Sequence, residues 1–425
     1  MQQENELSRP NQTQQTQTQV ANDQVNNSFS MENQNINKDI DVRNNKGNYV
    51  FIIILLILCG AGYFWYSEYG LPISDNKGSI SQQIVNYVAD QNNKHKPADI
   101  VEKFGKNLQN LNIDNVDFSG ADFKDADLSN SNFKNVHFNG SNLTGSKLSN
   151  VVCSNCNFMN ANFSGASLQN SNFEYSVFTN AVMNNARIQY CNMYQVNLSK
   201  VKFVNSVASH SSFAEATIHD SDFNGIDLTM SNFSKAKLDN VNFLKSNLYG
   251  TNFYKSVINN SNFDDSYMES VNFGYAQLSQ SSLQKANLVW ANIDFSKIIK
   301  SNMRNADLTS VYALGADFSD SDLSGAVLVH GDFKKSNLSG ANITNANLNY
   351  AIFTGADLTG VKLQGSKLVA TNFSHAKLMR SNLTSTVLMN TNMKDADLTG
   401  AIGIKVKGVQ KHLKEKTIDT KSEKR

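Results

Sequence analysis

The chain has 425 residues, of which 40% are hydrophobic and 18% are charged, and its formal net charge is +1. This balance excludes a strongly basic, polyanion-binding chain, and the 23 glycines and three prolines exclude collagen and proline-rich linkers. Four cysteines in so long a chain exclude a small secreted module built from disulfides.

The first part of the chain, residues 1–48, is crowded with Gln and Asn and has almost no large apolar side chains. It carries six acidic and four basic groups. A segment of this composition cannot bury enough apolar surface to offset the entropy lost on folding. We therefore predict that residues 1–48 are disordered.

Residues 49–66 are uncharged over 18 positions, with aromatic side chains at both ends. A helix of that length crosses about 27 Å of hydrocarbon, so the sequence predicts a single transmembrane helix, with the membrane as a partner. The alternative is a buried core helix of a soluble domain, which a run apolar on every face disfavours.

The charges around this run predict an orientation. Lys38, Arg43 and Lys46 precede it closely, whereas only Lys77 follows within about 20 residues. Since richness in Asn and Lys suggests a bacterium, we predict a single-pass protein of the inner membrane. Its N-terminus would be cytoplasmic and the remainder periplasmic.

Residues 67–110 contain two helical patterns, one with Ile80, Ile84 and Val88 on one face and one that follows Pro97. We expect a stalk and a helical N-terminal cap. At the other end, residues 403–425 have eight basic and three acidic groups and are too polar to build a core. They are predicted to be a basic, solvated tail.

From residue 111 to residue 402 the sequence divides into pentads, such as ADFKD and ADLSN. The third residue, here called the centre, occurs 58 times from Ile113 to Leu398 and is never polar; 20 centres are Phe and 23 are Leu. The residue two places earlier is small in nearly every pentad, and the residue between them is Asn or Asp in 34 of the 58. Each pentad therefore offers one large and one small side chain to a core.

A period of five excludes both regular elements, because it would smear apolar positions around a helix and would not match the period of two in a strand. A chain that turns a corner at every pentad fits. The pattern A-[DN]-[LF]-x-x resembles the pentapeptide-repeat family, whose fold is a right-handed quadrilateral β-helix with four pentads per coil. The resemblance implies an all-β solenoid, here of about 14 to 15 coils. The transmembrane helix and short capping helices predicted above would precede it.

The positions of Phe support a coil of four pentads. When the centres are sorted by their place within four pentads, nine Phe centres fall in the column that includes Phe133 and Phe253, and none falls in the column from Leu128 to Leu388. At one strand spacing of about 4.8 Å per coil, the repeats predict a rod of roughly 70 Å.

The sequence offers little to a catalytic hypothesis. Ser199, His219 and Asp239 follow one another at intervals of four pentads and should form one outward column in the order of a hydrolytic triad. A flat repeated side supplies neither a pocket nor oxyanion donors, and no insertion interrupts the register. We therefore predict no enzyme and no catalytic, metal or cofactor site.

The cysteines of the repeats occupy inward positions, where Cys153, Cys156 and Cys191 are best interpreted as core filler. Cys153 and Cys191 should lie too far apart to bond. A bond between Cys153 and Cys156 stays open as the alternative.

One surface feature is unequal. Eleven outward aromatic residues all fall on two adjacent sides of the coil, those centred on the Leu column and on the Phe column. Two are Tyr175 and Tyr194; the other nine define what we call the candidate edge. They are Tyr190, Tyr249, Tyr254, Tyr267, Tyr275, Trp290, Phe295, Tyr312 and Tyr350.

An exposed aromatic surface favours a protein partner or self-association along the rod. The sequence thus predicts a membrane-anchored, non-catalytic rod that acts as a protein-binding or scaffold module. The alternatives are a DNA-mimicking inhibitor of an enzyme such as gyrase, as the family resemblance suggests, or a secreted bacterial effector. The repeats carry 23 acidic and 21 basic residues, so mimicry of DNA is disfavoured and no nucleic acid is expected as a partner. The alternative to a binding surface is that these two sides merely accommodate bulky residues at their corners.

Overall fold

The computed structural model describes residues 79–89 and 99–404, all of which belong to one compact unit, Leu71–Arg425. The predicted disordered segment 1–48, the predicted span 49–66 and all but the first two residues of the predicted tail 403–425 lie outside the described residues.

Two helices precede a series of short strands in the described residues. Helix α1 is Ile80–Ala89 and helix α2 is Ile100–Phe104. Eight strands of three residues follow: β1 Asn112–Asp114, β2 Asn132–Lys134, β3 Val152–Ser154, β4 Thr217–His219, β5 Lys237–Asp239, β6 Val257–Asn259, β7 Gln277–Ser279 and β8 Lys297–Ile299.

The strands form two parallel sheets, in the orders β1-β2-β3 and β4-β5-β6-β7-β8. The register pairs each residue with the one four pentads later, as Asn112 with Asn132. Isolated parallel bridges continue this register between residues 107 and 402. The predicted all-β solenoid with four pentads per coil is confirmed.

The last residue of each pentad turns the chain. Every fifth residue from Asn110 to Gly400 has a positive φ, for example 58° at Asn170 and 73° at Gly120. Asn tolerates this left-handed region better than most residues with a side chain, which explains its abundance at these corners.

Asn252 shows why Asn and Asp precede the centre. Its Oδ1 accepts hydrogen bonds from the backbone N–H of Tyr254 and from Nδ2 of Asn272 one coil later, both at 3.0 Å. Its own Nδ2 donates to Oδ1 of Asn232 at 3.2 Å. The same side chain therefore closes a turn and links neighbouring coils.

Buried serines two places before the centre can have their hydroxyls paired, as at Ser171, although the Oγ of Ser141 has no hydrogen-bond partner. Ser171 is buried, and its Oγ donates to the carbonyl oxygen of Leu148 at 2.6 Å. The backbone N–H of Val151 donates to the same Oγ at 2.9 Å. At Ser171 serine therefore replaces alanine in the core with its hydroxyl paired.

The core lies along the inside of the solenoid. Every pentad centre from Ile113 to Leu398 is buried, which confirms that these residues point inward. The rings of Phe213, Phe233, Phe253 and Phe273 stack at centroid separations of 4.7, 5.1 and 5.0 Å. The regular spacing of Phe along the sequence thus becomes a continuous aromatic column.

Both predicted helical patterns form helices. In α1, Ile84 and Val88 are buried in the same core as the first centres. Ser81 Oγ accepts a hydrogen bond from the backbone N–H of Asn112 at 3.0 Å, which joins α1 to β1. Helix α1 therefore covers residues of the first coil.

The predicted localisation as a single-pass membrane protein is wrong. Within residues 79–89 and 99–404, no helix is both long and apolar enough to cross a bilayer. The longest of them, α1, has 10 residues, whereas a transmembrane helix needs about 20.

The interpretation of all three repeat cysteines as core filler needs a correction. Cys153 and Cys156 form a disulfide, with Cα atoms 5.6 Å apart. A centre and the small position of the next pentad both point inward and lie close together in the chain, so this separation falls in the bonding range. Cys191 remains a buried free thiol, and burial raises its pKa to about 12.

Candidate protein-interaction edge

Five residues of the candidate edge occupy the corners of the coil. The φ angles of Tyr190, Tyr275, Trp290, Phe295 and Tyr350 lie between 55° and 62°. Non-glycine residues of this bulk rarely adopt the left-handed region, and here the hydrogen bonds between coils hold them in it. The corner geometry directs these side chains outward.

The corner residues are also the exposed ones. Trp290 is 47% exposed, Phe295 44% and Tyr350 52%. Tyr267, on the flat of a side, is 41% exposed, whereas Tyr249, Tyr254 and Tyr312 are half-buried. The structure therefore places all nine residues at the surface, in two degrees of exposure.

Three of them form one aromatic cluster on the Phe-centred side. The rings of Tyr254 and Tyr275 meet edge to face at 5.7 Å, and those of Tyr275 and Phe295 stack at 5.1 Å. Nζ of Lys255 lies 5.0 Å from the centroid of Tyr254 and 5.9 Å from that of Tyr275. The cluster combines apolar surface with one cation.

The position of the Phe295 ring depends on Gly315, one coil later. A Cβ placed on Gly315 would lie 2.9 Å from Cδ1 of Phe295, so the ring occupies space that a side chain at residue 315 would need. The ring is therefore held against the next coil by the absence of a side chain there.

A second pair lies on the Leu-centred side. The rings of Tyr249 and Tyr267 stack at 6.0 Å. The hydroxyl of Tyr267 donates to Oε2 of Glu269 at 2.6 Å, and this hydrogen bond raises the pKa of Tyr267 to about 12. The carboxylate thereby fixes the ring in an exposed position.

Two histidines that the sequence did not single out belong to the same surface. His210 stacks on Tyr190 at 5.0 Å and His330 stacks on Tyr350 at 5.0 Å. Each histidine lies one full coil along the sequence from a tyrosine of the edge, and that spacing was the signal that could have found them. Lys255 was missed because a cation over a ring depends on side-chain torsions that the period does not set.

The column with the order of a triad does not form one. His219 Nδ1 lies 3.3 Å from Asp239, but its Nε2 faces Asp220 at 2.9 Å. The hydroxyl of Ser199 donates instead to Oδ1 of Asn197 at 2.6 Å. The hydroxyl of this serine is therefore paired with Asn197 rather than with the histidine.

The described residues hold no group of three or more His, Cys, Asp or Glu that could bind a metal ion. An open hollow of about 510 Å³ lies beside the edge, and its lining is polar except for one tyrosine ring. It is lined by Ser149, Ser167, Gln169, Asn170, Gln189 and Tyr190.

Comparisons with known proteins agree with the repeat geometry. The family model "Pentapeptide repeat region" matches residues 116–193 and 176–253. The model "Pentapeptide repeats (8 copies)" matches residues 261–294, 301–340, 336–374 and 366–402. No curated protein matches the chain.

Solved structures of repeat proteins are also similar. One is HetL, a pentapeptide repeat protein involved in heterocyst differentiation regulation from the cyanobacterium Nostoc sp. strain PCC 7120. HetL is 27% identical to this chain, and the match covers 55% of this chain and 90% of HetL with a TM-score of 0.21. QnrB1, a plasmid-mediated fluoroquinolone resistance protein, is 18% identical, with coverages of 54% and 90% and a TM-score of 0.20. Because the two family models together match more than half of its residues, the chain belongs to the pentapeptide-repeat proteins.

Proposed function

We propose that the protein is a non-catalytic pentapeptide-repeat rod that binds a protein partner through the candidate edge and so acts as a binding or scaffold module. The observation that carries the proposal is the concentration of exposed aromatic side chains on two adjacent sides of the coil. We also propose the finer architecture, a right-handed four-sided coil repeated about 14 to 15 times. The division of the chain at residues 110 and 402 stays a prediction.

Exposed aromatic surface supports this function for an energetic reason. Aromatic side chains are enriched at interface hot spots, where they remove much apolar area from water and lose little rotamer entropy. On this edge, the stacking of Tyr275 on Phe295 and the hydrogen bond from Tyr267 to Glu269 already order the side chains. A partner would therefore meet a preorganised surface.

The other functions fit less well. Mimicry of DNA needs a strongly acidic surface, whereas the repeats carry 23 acidic and 21 basic residues. Hydrolysis would need a nucleophile beside its base, and Ser199 donates to Asn197 instead. Binding through the edge needs neither feature.

The double variant Trp290→Asp with Tyr267→Asp tests the proposal in the full chain. It places two charges on the edge without touching a buried centre, so melting should fall only by the loss of the hydrogen bond from Tyr267 to Glu269 while association is lost. Association is measured by sedimentation velocity and by recovery of partners on the immobilised protein. The matched control is Met159→Asp with Met379→Asp, two outward residues that lie off the edge. If the edge variant and the control retain the same association, the candidate edge is not a binding surface.

A further inference from the structure

One corner of the coil carries fifteen residues from Asn110 to Asn390, each one coil from the next, and all of its aromatic residues and histidines fall within nine consecutive positions. The backbone N–H of each of these nine donates to a carbonyl oxygen of the following coil, as His210 to Thr229 at 2.8 Å and Trp290 to Thr309 at 3.1 Å. Their φ angles all lie between 56° and 62°, so their side chains leave the surface in one direction. We call these nine the corner column: Tyr190, His210, Met230, Gly250, Ser270, Trp290, Ser310, His330 and Tyr350.

The order of residue types in the corner column is nearly symmetric about its middle. Ser270 is its middle, four coils from Tyr190 and four from Tyr350. The histidines, His210 and His330, each lie three coils from the middle. Each histidine stacks on its neighbouring tyrosine at the same centroid distance of 5.0 Å. The two ends therefore present the same structural unit in opposite order.

Nearer the middle, a large residue on one side of Ser270 corresponds to a small residue at the same distance on the other side. Trp290 and Gly250 each lie one coil from Ser270. Met230 and Ser310 each lie two coils from it. Pairs of this kind are what an isologous interface requires, because residue i of one copy meets residue j of the other and the reverse.

We propose that two copies of the chain associate antiparallel along the corner column, with the two-fold axis passing at Ser270. The proposal rests on the proposed function, since it names a second copy as the partner of the edge. Trp290 of each copy then lies against Gly250 of the other, and each tyrosine–histidine unit meets the opposite unit of the other copy.

Packing at Gly250 favours this arrangement over a parallel one. A parallel pair would set Trp290 against Trp290 and Gly250 against Gly250, so that neither indole would meet the thioether of Met230. In the antiparallel pair the indole meets the thioether of Met230, which lies over Gly250. Its Sδ is 2.5 Å and its Cε 2.9 Å from where a Cβ of Gly250 would be. Contacts between sulfur and aromatic rings are favourable.

No residue of the corner column is charged. The corner column contains no Asp, Glu, Lys or Arg, so two copies approach without desolvating a charge of the column. Glu269, which precedes Ser270, has its Oε2 engaged by the hydroxyl of Tyr267 of the same copy.

The length is sufficient for a stable dimer. Eight coil spacings of about 4.8 Å give a contact of about 38 Å. An ordinary interface of about 800 Å² per partner is then about 20 Å wide, so residues of both sides that adjoin the corner must contribute to it.

Cysteine cross-linking tests the register in the full chain, with Cys59→Ser removing the one cysteine that lies outside the described residues. Ser270→Cys places a thiol at the two-fold axis, so copper-phenanthroline oxidation at low micromolar protein should yield mostly covalent dimer. Ser310→Cys is the matched control, with nearly the same φ, 56° against 59°, on the same column. It faces Met230 of the other copy and should cross-link at least tenfold more slowly alone, but readily when mixed with Met230→Cys protein.

The outcomes separate the two proposals. Equal cross-linking of Ser270→Cys and Ser310→Cys would mean a parallel pair and would overturn the inference. A monomer in sedimentation velocity would overturn it as well. In that case, loss of a different bound protein in the Trp290→Asp and Tyr267→Asp variant would leave the proposed function standing. If neither dimer nor partner depends on the edge, both proposals are wrong.

Discussion

The ring of Phe253 lies between those of Phe233 and Phe273, at centroid distances of 5.1 and 5.0 Å. It also meets Phe243 and Phe263 edge to face at 6.3 and 6.1 Å. The side chain is fully buried, and the coils on both sides are tied to it by backbone hydrogen bonds. At the scale of one residue, the stability of the solenoid therefore rests on stacked centres that cannot move independently of the backbone.

Replacing Phe253 with alanine should lower the free energy of unfolding by about 3 to 5 kcal/mol, because the rigid coils cannot close the cavity. Phe295→Ala is the control, since this phenylalanine is 44% exposed and should cost no more than about 1 kcal/mol. Chemical denaturation measures both. Equal losses for the two variants would contradict the inward assignment of the centre.

The phenol of Tyr267 should stay neutral to higher pH than an ordinary tyrosine. Its hydrogen bond to Glu269 raises its pKa from 10.0 to about 12. A raised pKa in the folded state means that this contact stabilises the fold below pH 10 and that the stabilisation is lost as the pH rises toward 12. In Glu269→Gln the pKa should fall toward 10, as an NMR titration of labelled tyrosine would show. An unchanged titration would mean that the carboxylate does not hold the ring.

At the scale of elements, the sequence was enough to predict the register but not the strands. The period of four pentads predicted that Asn112 pairs with Asn132, because each pentad must return to the same side to keep its centre inside. The period could not predict that three-residue strands form only in some coils, such as those of β4–β8, whereas other coils are joined by isolated bridges. Extended pairing depends on the exact backbone torsions near the corners, and the repeat pattern does not determine these torsions.

For the candidate edge, too, some features could be predicted from the sequence and others could not. Outward positions follow from the pentad, so the placement of Trp290 and Tyr350 at the surface could be predicted. The stack of Tyr275 on Phe295 could not, because it depends on torsions and on the missing side chain of Gly315. The sequence left the bond between Cys153 and Cys156 only as an alternative, because a buried free cysteine and a buried bridged cysteine give the same pattern.

Helix α1 should protect only the coil that it covers. Ile84→Ala removes a buried contact and should cost about 2 kcal/mol or more. Hydrogen exchange should then accelerate at Asn112–Asp114 but not at Val257–Asn259, because each coil contacts only its neighbours. The exposed Gln82→Ala is the control. Faster exchange in both strands would mean that the solenoid opens as one unit.

At the scale of the whole described solenoid, the register between residues 107 and 402 is unbroken and every strand pairs in parallel. Nearly all long-range contacts therefore join residues of adjacent coils. A chain of this kind is stabilised by the sum of its coils and of the interfaces between successive coils. Coupling between two sites should consequently fall off with the number of coils between them.

Double-mutant cycles on the Phe column measure that decay. Phe253→Leu with Phe273→Leu removes two rings that stack at 5.0 Å, and their interaction energy should be about 0.5 to 1.5 kcal/mol. Phe253→Leu with Phe353→Leu changes two rings of the same column that lie five coils, or about 24 Å, apart. The effects of this second pair on the free energy of unfolding should add to within about 0.5 kcal/mol. Leucine already occupies centres throughout the solenoid, so neither substitution should disturb the register. Equal coupling for the near and the distant pair would show that packing changes travel along the whole column, which nearest-neighbour contacts alone do not permit.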